Sequence, residues 1–106
     1  MQLIWSDFAI ENLKQIFDYY KARAGEKVAH KIRRQILEAT KQLHSNPESG
    51  QIEFNLESLK QNYRYILSGS YKVIYRINKD VIFINDVFDV RQNPTKMMDE
   101  DRYNIK

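Results

Sequence analysis

The chain contains no cysteine, so disulfide bridges and thiolate metal sites are excluded and the redox compartment is left open. Glycine is scarce. Three stand singly at positions 25, 50 and 69, so the chain has no glycine-rich loop of the kind that cradles phosphates. No run approaches the roughly 18 apolar residues of a membrane span. The start, MQLIWSDF, also lacks the basic-then-apolar order of a secretion signal. A cytoplasmic protein with no membrane contact is the expectation. Histidine occurs twice, at His30 and His44, with no carboxylates at ligand spacing, so no metal and no other cofactor is expected. Ser68 and Ser70 have no nearby histidine base, which removes support for nucleophilic serine chemistry.

What the chain does contain is charge of both signs and many aromatics. Its 106 residues fit one domain, 1–106, able to bury about two-thirds of its unfolded surface without cross-links. The net charge of +3 and pI near 9.1 suit an acidic partner without requiring one. Seven tyrosines and five phenylalanines read first as core filling and only second as surfaces for stacking on bases.

Ser6-Asp7 supplies an N-cap oxygen and a first-turn acid after the short apolar strand Met1–Trp5. Ala9, Leu13, Ile16, Phe17 and Tyr20 then recur at steps of three and four, which predicts a helix to about Ala22 with Gly25 as its stop. Val28, Ile32, Ile36, Ala39, Thr40 and Leu43 predict a second helix from Glu26 to His44 and hence a helical hairpin. Within it, His30-Lys31-Ile32-Arg33-Arg34 is the densest basic stretch, and its plain reading is a solvated helix face rather than a nucleic-acid contact. Pro47 and Gly50 break the chain, and Gln51–Leu59 reads as a short strand and a turn. Residues 97–106 read as a flexible tail or a short helix.

Tyr63–Pro94, YRYILSGSYKVIYRINKDVIFINDVFDVRQNP, holds three apolar runs separated by Ser68-Gly69-Ser70 and Asn78-Lys79-Asp80, the pattern of consecutive antiparallel hairpins. Two-residue loops would set cations beside the large apolar groups, so burial cost favours three-residue loops, which gather Tyr63, Tyr65, Tyr71, Val73 and Tyr75 on one face with Val81, Phe83 and Val87. Arg64, Lys72 and Arg76 would then share the other face with Ile82, Ile84, Asp86 and Phe88, and Lys72 would stand opposite Asp86. The expected fold is α+β: an N-terminal strand and a helical hairpin covering the tyrosine face of an antiparallel sheet of about four strands. The cationic face is expected to stay partly open as a binding site. Such cations also suit metal-free RNA cleavage, where they stabilise charge on the phosphate; Tyr71, Lys72 and Tyr103 are the candidates for proton transfer.

The order strand, helical hairpin, strands, together with Gly69-Ser70-Tyr71-Lys72-Val73-Ile74-Tyr75-Arg76-Ile77 and Arg91-Gln92-Asn93-Pro94, resembles the RelE/ParE superfamily of bacterial type II toxins over nearly the whole chain. The resemblance implies a growth-inhibiting toxin neutralised by a cognate antitoxin. RelE-like members cleave mRNA on the ribosome without a metal, and in that case Arg64, Lys72 and Arg91 would be catalytic. ParE-like members inhibit DNA gyrase and are not nucleases, and Arg64, Lys72, Arg76 and Arg91 would then bind antitoxin or target. The RNA-cleaving branch commonly has a tyrosine soon after the last arginine; here Asn93-Pro94 follows, which is closer to the ParE branch. A non-toxic interaction module or decayed member is the third reading.

Overall fold

The computed structural model describes residues 1–99. Ser6 accepts a hydrogen bond from the Ala9 N–H at 3.0 Å and opens helix α1, Asp7–Ala24, with Asp7 in the first turn and Lys21 and Arg23 in the last. Gly25 alone links α1 to α2, Glu26–Lys41: its N–H bonds the Lys21 carbonyl, and its φ of 92° is a conformation that costs other residues strain. A 3₁₀ turn, Gln42–His44, completes the helical stretch that the spacing predicted.

The five strands are β1 (Gln2–Trp5), β2 (Gln51–Ile52), β3 (Arg64–Ser68), β4 (Tyr71–Asn78) and β5 (Val81–Asp89). They lie in the order β1-β5-β4-β3-β2, with β1 parallel to β5 and the other neighbours antiparallel. Helix α1 lies over β5 and α2 over β3 and β4. Between helices and sheet, Ala9, Ile36, Leu43, Val73, Tyr75, Ile82, Ile84 and Val87 form the main core.

The register differs from the sequence expectation. Ser68 pairs with Tyr71 across a two-residue turn, and Asn78 pairs with Val81 across another, with Gly69 and Lys79 at φ of 56° and 57°. The one-residue shift sets Ile66 against Val73 and Arg64 against Tyr75, while Tyr65 pairs with Ile74 and Leu67 with Lys72. The predicted tyrosine face is thus split, with Tyr71 and Tyr75 on the helix side and Tyr65 on the other. Lys72 stands opposite Phe88 and not Asp86. A bulge in β5 opposite Ile74 and Tyr75 adds a second correction. It inserts Asn85 between the paired residues Ile84 and Asp86, so Ile82, Ile84 and Val87 all join the helix-side core.

Burial cost misled the register because it assumed a single apolar face. A second small core, Leu56, Tyr63, Ile74, Phe88 and Met97, lies on the far side of the sheet. It is covered by two mutually packed 3₁₀ helices, Phe54–Leu59 and Pro94–Met98, and this part of the face expected to be open is closed. Residues 97–98 of the expected tail belong to that cover; the rest of the tail, beyond Asp99, lies outside the described residues. No helix among the described residues is long and apolar enough to cross a membrane.

Tyr75 is fully buried and fastens the loop before β2: its hydroxyl donates to the Pro47 carbonyl at 2.7 Å and accepts from the Gly50 N–H at 2.9 Å. A Cβ on Gly50 would lie 2.5 Å from that hydroxyl and 2.8 Å from the Tyr65 carbonyl oxygen. Gly50→Ala is therefore expected to destabilise the fold by about 1–3 kcal/mol through overpacking, measured by urea denaturation.

Candidate functional site

Each sequence-predicted cation is held by a local partner. Arg64, at the start of β3, donates from Nη1 to the Gly50 carbonyl at 2.9 Å and the Glu48 carbonyl at 3.3 Å. It therefore clasps the same loop as Tyr75. Burial raises the Tyr75 phenol pKa, and the Gly50 N–H and the Arg64 charge oppose that rise.

Lys72 extends to the other face of β4. Its Nζ meets Glu53 Oε2 at 2.7 Å and lies 4.1 Å from the centre of the Tyr65 ring. Glu53 is only 2 % exposed; its other oxygen accepts from the Asn55 N–H at 3.1 Å and the Asn55 Nδ2 at 2.8 Å, capping the 3₁₀ helix that follows. Arg76 lies on the same side of β4, its guanidinium 4.6 Å from the Phe83 ring centre. Beside it, burial raises the pKa of the Tyr63 phenol, and the Arg76 charge partly offsets the effect.

Arg91 follows β5 and is exposed, but Asp89 chelates it: Nε to Oδ1 at 2.9 Å, Nη2 to Oδ2 at 2.8 Å, with the Arg91 N–H also donating to Oδ1 at 2.9 Å. The Asp89 carboxyl is accordingly held below the usual carboxylate range, and the guanidinium pKa is raised. Arg91 helps line a groove of about 240 Å³ with Asn12, Gln15 and Tyr19 of α1, Tyr71 of β4 and Gln92. Behind it the Tyr71 hydroxyl donates to the Tyr20 hydroxyl at 3.4 Å, and burial, reinforced by that contact, raises the Tyr71 pKa. On the far side of these two phenols, Tyr20 and Tyr71 also line a cavity of about 180 Å³ with Gln35 and the Ser68–Ser70 turn.

The structure thus brings Arg91 and Tyr71 together and leaves the other cations apart. Arg64 serves the loop on the helix side, while Lys72 and Arg76 stand on the opposite side of the sheet. Tyr103 lies outside the described residues. Among the described residues no cluster of histidine, aspartate or glutamate could hold a metal ion. Sequence reasoning missed Glu53, which sits nineteen positions from Lys72 in a segment without strong periodicity. It also missed the Asp89 chelate, for which the Asp-Val-Arg spacing was a readable signal.

This layout, a helical hairpin on a five-stranded sheet, is shared with a solved structure described as the chromosomal ParDE TA system from P. aeruginosa. The TM-score is 0.71 at 23% identity, covering 85% of this chain and 96% of that one. No curated protein matches. The model of the ParE toxin of type II toxin-antitoxin systems, parDE, matches residues 3–94, and the chain belongs to this family.

Lys72→Ala leaves the Glu53 carboxylate buried without its cation and is expected to cost about 3–5 kcal/mol, whereas Arg91→Ala removes an exposed, solvent-screened pair and should cost far less at neutral pH. Urea denaturation of the two variants measures the difference. Because the folded-state pKa of Asp89 is lowered, its contribution is present above its unfolded pKa of about 4 and is lost as the pH falls through the folded value. Arg91→Ala should weaken that acid-side dependence in the stability profile, leaving the part that the backbone N–H of residue 91 supplies.

Proposed function

We propose that this toxin arrests growth by binding DNA gyrase and is held inactive by a cognate antitoxin, and that it is not an enzyme. One observation carries the choice against RNA cleavage: the cations that cleavage would use are engaged and divergent. A scissile phosphate needs positive groups aimed at one point where charge develops. Instead, Lys72 is neutralised by Glu53, Arg91 by Asp89, and Arg64 is turned into a backbone loop. Of the proton-transfer candidates, Tyr71, beside Arg91, is bonded to Tyr20 and its pKa is raised, and Lys72 is committed to Glu53.

The family assignment and the Arg91-Gln92-Asn93-Pro94 ending support gyrase as the target. The antitoxin reading is supported by large apolar side chains left in solvent on the sheet side away from the helices, with Phe54 72% and Leu67 58% exposed. Binding of the antitoxin would cover part of this surface.

Toxin released from its antitoxin should inhibit supercoiling by purified gyrase and leave transcripts intact in a ribosome-dependent translation assay. Unaffected supercoiling, together with transcript cleavage that Lys72→Ala or Arg91→Ala abolishes, would overturn the reading in favour of a ribosomal nuclease. Induced expression without growth arrest would favour a non-toxic interaction module.

A further inference from the structure

Helix α2 turns Ala29, Ile32, Ile36, Ala39 and Thr40 inward. At about 3.6 residues per turn, the flank opposite them carries Lys27, Lys31, Arg34, Glu38 and Lys41, all exposed. The two acids near this flank are already used: Glu38 pairs with Lys41 at 3.0 Å, and Glu26 with Lys21 of α1 at 3.4 Å. Lys27, Lys31 and Arg34 face solvent with no ion pair among the described residues. Their spacings, four residues and then three, set like charges next to one another along the helix, which opposes helix formation. Helix stability therefore does not account for this row.

We propose that this flank of α2 binds the phosphate backbone of duplex DNA without reading its sequence. Length, chemistry and rigidity agree. The fourteen residue steps from Lys27 to Lys41 span about 21 Å along the helix axis, over which a duplex presents about twelve phosphate charges. The flank carries no aromatic or large aliphatic side chain at its centre; Val28 and Leu37 lie at its margins, 36% and 38% exposed. A protein partner anchors on such groups in a desolvated centre, whereas phosphate contacts need charge and tolerate water. Single-stranded nucleic acid is bound on aromatic platforms, and Phe17, on the neighbouring helix, is covered by the Arg33 guanidinium at 4.8 Å and by the His30 ring at 4.9 Å. The inference is independent of the gyrase reading, since it concerns DNA contacted by the toxin itself.

The test is fluorescence anisotropy of a labelled duplex of about 20 base pairs titrated with the full chain freed from antitoxin, over a range of salt. Phosphate contacts from Lys27, Lys31 and Arg34 give a slope of log affinity against log salt of about −2.7. The triple variant Lys27→Glu, Lys31→Glu, Arg34→Glu should lose at least about tenfold in affinity and most of that slope. Circular dichroism should find it as folded as the wild type, because the changed side chains are exposed. A variant matched in net charge, Lys14→Glu, Lys60→Glu, Lys79→Glu, should keep most of the affinity. Equal losses in both variants would reduce the effect to overall charge and overturn the proposal, as would unchanged binding in the α2 variant. Polyglutamate or phosphatidylserine vesicles bound as tightly as the duplex would overturn it in favour of an acidic protein or a membrane surface.

Discussion

The Lys72–Glu53 ion pair joins the far face of the sheet to the segment that covers it. Glu53 is buried, caps the 3₁₀ helix Phe54–Leu59 and receives a cation from the central strand, so one carboxylate fixes both where that helix starts and where it docks. Paired and hydrogen-bonded on both oxygens, it meets the condition under which a buried charge is tolerated. The second small core, around Ile74, Phe88 and Met97, lies under the cover thus placed. The same pair holds the Lys72 ammonium on a buried carboxylate and against the Tyr65 ring.

Much of the architecture was legible in the sequence. Ser6 as an N-cap, Gly25 as the break between helices and the three- and four-residue spacing of Leu13, Ile16, Ile32 and Ile36 all encode structure over a few neighbouring residues, and the elements fall where those signals place them. Register was not legible, for a physical reason. Hairpin pairing was inferred from the cost of placing cations among apolar groups, and that cost disappears when a distant residue neutralises the cation. Glu53 does this for Lys72 and backbone carbonyls do it for Arg64. The bulge at Asn85 then reverses which side of β5 faces inward, and nothing in the alternation of Val81–Asp89 announces it.

The candidate site was legible only as residue types. Four basic positions on and after the strands stand out in the sequence, and the structure gives each a separate setting: a loop clasp at Arg64, an ion pair at Lys72, an aromatic stack at Arg76 and a chelate at Arg91. The groove beside Arg91 is built largely from α1 residues, Asn12, Gln15 and Tyr19, which border the apolar stripe and had no signal of their own.

The parallel pairing of β1 with β5 has a kinetic consequence. Residues 2–5 are synthesised well before their strand partners, residues 81–84. The helices can form as they emerge, because their hydrogen bonds are local, but β1 has no neighbour until residues 81–84 have been made. A domain whose first strand must wait for its last has a high sequence separation between paired residues, which slows folding. During synthesis, therefore, the chain passes through a stage in which the helical hairpin exists and the sheet that should bury its apolar side does not.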